Sequence, residues 1–67
     1  MTSRQKEVCG AITEALEAFG YPPTLRELAE RLDITVAGVH HHVLRLRELG
    51  AVTWDPHAAR TIHVIAP

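Results

Sequence analysis

Thr24-Leu25-Arg26-Glu27-Leu28-Ala29-Glu30-Arg31-Leu32-Asp33-Ile34-Thr35-Val36-Ala37-Gly38-Val39-His40-His41-His42-Val43-Leu44-Arg45-Leu46-Arg47-Glu48-Leu49-Gly50 decides the fold. It opens on Thr24 followed three residues later by Glu27, a capping box that starts a short helix. Leu25, Leu28, Ala29 and Leu32 recur on one side of that helix. Asp33-Ile34 breaks it, and Thr35 caps a second helix predicted over 35–49 and stopped at Gly50. On this second helix Val39, Val43 and Leu46 point one way. At about 100° per residue, Ala37, His41, Leu44 and Glu48 point the opposite way, with His40 beside them. Two short amphipathic helices joined by a turn of a few residues form a helix-turn-helix pattern.

Working outward, the segment before this stretch reads as one more helix. Val8, Ile12, Ala15, Leu16 and Phe19 form a single apolar stripe, Thr2 and Gln5 supply a capping box, and Gly20 stands at the left-handed end position. Tyr21-Pro22-Pro23 forces an extended connection. After Gly50 the period changes from helical to alternating. Val52 and Trp54 share one strand face, and Ile62 and Val64 share one face of a second strand. Asp55-Pro56-His57-Ala58-Ala59 joins the two as a hairpin. The expected architecture is a small α+β winged helix-turn-helix, three helices followed by a two-stranded β-hairpin wing, as one domain over residues 1–67.

Composition excludes most alternatives. Sixty-seven residues make one thin core, which leaves no room for a second domain or a large substrate cleft. No apolar run approaches the roughly 20 residues of a membrane span, and the polar start Met1-Thr2-Ser3-Arg4-Gln5-Lys6-Glu7 is not that of a signal peptide. Cys9 is the only cysteine, which suits a reducing compartment, and a cytoplasmic location is expected. Its position beside the first helical stripe reads as an inert, partly buried small residue.

The net charge of −1 does not by itself favour nucleic acid, but its distribution is informative. All five histidines lie in the second half, and no acid stands between Ile34 and Arg47. The side of the third helix opposite Val39, Val43 and Leu46 is of a size to enter the major groove of B-DNA. Ala37, Gly38, His40 and His41 are the expected base readers, with Leu44 a contact for a thymine methyl group. Arg26, Arg45, Arg47 and Arg60 are the expected phosphate contacts. The free N–H groups behind Thr24 and Thr35 add to them at the two helix starts. His40, His41 and His42 do not read as a metal site. Consecutive helical side chains diverge by about 100° and cannot close on one ion. His42 reads as a packing residue at the edge of the apolar stripe. No nucleophile–base pair and no phosphate-binding glycine loop is present, so neither an enzyme nor a cofactor or small-molecule ligand is expected.

Several stretches resemble the DNA-binding domain of the LexA repressor family. They are Thr2-Ser3-Arg4-Gln5-Lys6-Glu7-Val8, Gly20-Tyr21-Pro22-Pro23-Thr24-Leu25-Arg26-Glu27-Leu28-Ala29, Val39-His40-His41-His42-Val43 and Asp55-Pro56 through Arg60-Thr61-Ile62. The resemblance implies a winged helix-turn-helix regulator, a repressor, that binds a palindromic operator as a dimer. The reading helix 35–49 would lie in the major groove and the wing 51–65 on the backbone or minor groove. Three departures stand out. The turn between Ile34 and Val39 reads as one residue shorter, Leu44 replaces a usual lysine, and Ala37 and Gly38 replace polar groups. The family's self-cleaving protease domain is not in this sequence, and Lys6 is its only lysine, so no Ser/Lys dyad is expected. The alternative is a winged helix used for protein contact, modulating a larger regulator. Leu44 and the slight negative charge motivate that reading.

Overall fold

The architecture is α1 (Ser3–Phe19), α2 (Leu25–Leu32), α3 (Val36–Glu48), β1 (Val52–Thr53) and β2 (His63–Val64) in a computed structural model. It describes residues 1–65; Ala66 and Pro67, the end of the expected 1–67 domain, lie outside the described residues. Each helix begins where its cap was expected. The Thr2 hydroxyl accepts from the Gln5 amide while the Gln5 side chain takes the Thr2 N–H. Thr24 and Glu27 do the same for α2, and Thr35 accepts from the Gly38 amide at 3.0 Å for α3. These bonds satisfy amides that a helix start otherwise leaves unpaired.

The helix ends follow from backbone sterics. Gly20 (φ 78°) and Gly50 (φ 76°) take left-handed conformations that cost a glycine nothing. Asp33 closes α2 at φ 56°, in the region that Asp tolerates better than most residues. Its neighbour Ile34 donates to the Ala29 carbonyl at 3.0 Å, so only Asp33-Ile34-Thr35 separates α2 from α3.

Val8 and Ile12 of α1, Leu28 and Ala29 of α2, Val39, Val43 and Leu46 of α3, Val52 and Ile62 are all buried in one cluster. β1 lies beside α3 and β2 beside α1, so the hairpin closes the open end of the three-helix layer. The strands are antiparallel with Val52 opposite Val64 and Thr53 opposite His63. They are two residues each, shorter than the alternation predicts, because Asp55 and Thr61 tie the intervening loop together instead. The Asp55 amide donates to the Thr61 hydroxyl at 3.0 Å, and that hydroxyl donates back to the Asp55 carbonyl at 3.1 Å.

One core expectation needs correction. Phe19 is 56% exposed and stacks on Tyr21 at 6.0 Å between ring centroids, outside the core cluster. Trp54 is half-buried against the rim of the core, not enclosed by it. Strand pairing ends at Thr53, yet the alternation continues: Val52 is buried, Thr53 exposed, and Trp54 packs on the same core.

Candidate nucleic-acid interface

The phase of α3 is set by Val39, Val43 and Leu46, each fully buried. Helix geometry then turns Ala37, His41 and Glu48 away from the core, and all three are exposed. Leu44 lies on the same side and is half-buried. The hairpin does not cover this face. At thirteen residues α3 is about 20 Å long, enough to lie along a major groove. The face keeps one acid, Glu48, whose carboxylate meets Arg45 Nη1 at 3.5 Å.

The two flanks of α3 differ. On one flank Gly38 faces back into the turn. A Cβ there would stand 3.2 Å from Thr35 Oγ1 and 3.8 Å from Ile34 Cδ1. Gly38, an expected base reader, thus also leaves room for the cap of its own helix. On the other flank lies the wing. His40 meets the Trp54 indole edge-on at 5.2 Å, and Arg47 lies over the same ring, 5.4 Å from its centroid. His41 and His42 contact each other at 5.7 Å, and His42 is half-buried as expected.

At the start of α2 the Thr24 hydroxyl is committed to the Glu27 amide, and Arg26 is exposed and outside every ion pair among the described residues. Arg60, an expected phosphate contact, has its guanidinium engaged within the chain. Its Nη1 donates to Glu27 Oε1 at 2.9 Å and to the Pro22 carbonyl at 3.1 Å, and Nη2 donates to Glu27 Oε2 at 3.4 Å. The guanidinium also lies 4.6 Å from the centre of the Tyr21 ring. Arg60 thus clamps the wing to the α1–α2 connection, at the cost of a left-handed backbone (φ 57°). Tyr21, Glu27 and Trp54 have roles here that composition and spacing do not reveal.

Glu27 joins the cap to the clamp. The Thr24 backbone amide holds its carboxyl below the usual carboxylate range, and the Arg60 guanidinium adds to the effect. A depressed folded-state value stabilises the fold above the unfolded carboxylate value of about 4.3, and that contribution is lost as pH falls through the folded value. The thermal midpoint of the unmodified domain should therefore fall more steeply between about pH 5 and about pH 3 than that of Glu27→Gln. Parallel curves would show that the clamp adds nothing to stability. Partial burial raises the Cys9 thiol above its ordinary value, which disfavours the thiolate.

No helix among the described residues is long and apolar enough to cross a membrane. The chain matches the family described as LexA DNA binding domain over residues 1–61. It is 37% identical to the LexA repressor of Thermosipho africanus (strain TCF52B) over 65 residues, 97% of this chain and 33% of that protein. It is 37% identical over 68 residues to the LexA repressor of Nocardioides sp. (strain ATCC BAA-499 / JS614), covering 100% of this chain and 28% of the relative. The LexA repressor of Staphylococcus aureus (strain USA300) is 34% identical over 67 residues, 98% of this chain and 32% of that protein. The chain thus spans about a third of the length of the curated relatives it matches. With three capped helices, a clamped wing and a sequence match that runs through all of them, the chain belongs to the LexA DNA-binding domain family.

Proposed function

We propose that this chain recognises a specific double-stranded DNA sequence as the reading domain of a transcriptional repressor, with α3 in the major groove and the wing against the backbone or minor groove. The uncovered outer side of α3 carries the proposal: Ala37, His41 and Glu48 are exposed while the core holds the opposite side fixed. Ala37, His40 and His41 face the base edges in this reading, and Leu44 meets a thymine methyl group. Arg26, Arg45 and Arg47 supply phosphate contacts together with the amides behind Thr24 and Thr35. Arg60 acts through the placement of the wing. The relatives' name, repressor, supports the direction of regulation.

So few cations make one copy a weak binder, and two copies on inverted half-sites would raise affinity by proximity without any new contact. Selection from a random duplex pool tests this directly. The expected result is enrichment of a short motif, found alone or as an inverted pair. Binding to it should weaken with salt at a slope of roughly −0.9 per phosphate contacted. A pool that returns no motif, with no salt-sensitive binding to any duplex, would overturn the reading and leave contact with a protein as the better account of the outer side.

A further inference from the structure

We propose that Trp54 is a positioning residue for DNA recognition: the wing indole holds His40 and Arg47 on one flank of α3 so that the two side chains act as a unit. The proposal rests on the DNA-binding reading and assigns it a part that belongs to neither the reading helix nor the loop of the wing.

Three contacts converge on this one residue. The His40 ring meets the indole at 5.2 Å with an interplanar angle of 83°. Arg47 Cζ stands 5.4 Å from the indole centroid, and Arg47 Nη1 donates to the Trp54 carbonyl at 3.3 Å. His40 and Arg47 are seven residues apart, two helical turns on the same flank and about 10 Å along the axis. Trp54 bridges that interval from another element. Its own place is secured because it packs against the core rim directly after β1.

The chemistry of the partner matters as much as its position. Arg4, Arg31, Arg45 and Arg60 are each held by a carboxylate, from Glu7, Glu14, Glu48 and Glu27 respectively. Arg47 is held by a π face and a carbonyl, and makes no ion pair among the described residues. A carboxylate would restrain the guanidinium and cancel its charge. An indole restrains it through the ring quadrupole and leaves the full positive charge for a phosphate. His40 is held in a similar way, since an edge-to-face contact with the indole restrains its ring without a charged partner. Both side chains are exposed and would otherwise be immobilised only on binding, at a cost to affinity.

Two substitutions and one cycle test the assignment on the whole domain, using a duplex recovered from the random pool. Trp54→Leu keeps apolar bulk and removes the quadrupole; Trp54→Phe keeps a π face. Trp54→Leu should bind the selected duplex about tenfold more weakly, with Trp54→Phe closer to the unmodified domain. Combined with Arg47→Ala, Trp54→Leu should add a smaller loss than it causes alone, the remainder being the part that acts through His40. In the unmodified domain without DNA, NMR should show His40 ring protons and Arg47 side-chain protons displaced by the indole ring current, and Trp54→Leu should remove the displacement. That last measurement stands even if Trp54→Leu binds poorly for want of a stable fold, since the unmodified domain and Trp54→Phe carry it. Unmodified affinity in Trp54→Leu, losses that multiply independently with Arg47→Ala, or the absence of ring-current displacement would each overturn the proposal. If the unmodified domain bound no duplex at all, the DNA-binding reading itself would have failed, whatever the NMR showed.

Discussion

Leu46→Ala is expected to lower the thermal midpoint of this domain by at least about 10 °C. Leu46 is 0% exposed and sits among side chains of all three helices and the hairpin. Truncating such a leucine costs about 2–5 kcal/mol, part lost transfer energy and part unfilled cavity. A chain of 67 residues has in total only about 3–10 kcal/mol, at roughly 0.05–0.15 kcal/mol per residue. One substitution therefore removes a large share of the stability, and each 1 kcal/mol moves the midpoint by roughly 4–8 °C in a domain of this size. Leu44→Ala is the matched control. It lies two residues away on the opposite side of the same helix and is half-buried. It should change stability by about 1 kcal/mol or less. Circular dichroism melts of the pair would measure the phase of α3 directly. Equal losses, or a larger one for Leu44→Ala, would mean that α3 is rotated from the orientation on which the interface depends.

The contrast between these leucines also shows what a sequence reader can see. Everything decided within one turn of helix was legible. The caps at Thr2, Thr24 and Thr35 and the ends at Gly20 and Gly50 depend on neighbours three or four residues away, and all are found as expected. The burial of Val39, Val43 and Leu46 was equally legible, because a helical period reports direction. Period does not report where the neighbouring element stops. Phe19 continues the α1 stripe faithfully and still reaches solvent, stacked on Tyr21 at the end of α1. Conversely Ala11, beside the stripe, is 5% exposed, since a small residue admits close packing on a broader face than spacing suggests.

The candidate interface was legible in outline and not in its pairings. Direction around α3 places Ala37, His41 and Leu44 correctly, but it cannot show that Gly38 is pressed on Thr35 Oγ1. Arg60 and Glu27 are 33 residues apart, and Trp54 reaches back to Arg47 from beyond the end of α3 and β1. Whether an arginine is free or committed depends on such non-local partners. A helix-forming pattern carries no record of them, so the crowding at Gly38 and the clamp at Arg60 are seen only in the fold. The net charge of −1 is equally silent on pairing: four of the eight acids and four of the seven basic residues are engaged in ion pairs, which leaves the balance unchanged.

Ala37→Glu should separate binding from folding more cleanly than any other change. Ala37 is exposed at the second residue of α3, on the outward side. A carboxylate in the first turn of a helix faces the positive end of the dipole, which favours the fold by about 0.3–1 kcal/mol. The same carboxylate would enter a groove walled by phosphates, where like charges brought together cost several kcal/mol. Each 1.4 kcal/mol is a factor of ten, so the selected duplex should be bound at least about a hundredfold more weakly. The thermal midpoint should hold or rise slightly. Ala37→Gln keeps a similar length without the charge and should retain most of the affinity, which ties the loss to charge. Affinity and midpoint are measured on the same preparation, by fluorescence anisotropy against labelled duplex and by thermal melt. If Ala37→Glu bound DNA as the unmodified domain does, with its fold intact, the start of α3 would not be in the groove. The His40–Trp54–Arg47 flank would then be the surface that meets the duplex. If Ala37→Glu unfolded instead, the outward side would be packed against something, and the helix would need a different phase from the one that Val39, Val43 and Leu46 impose.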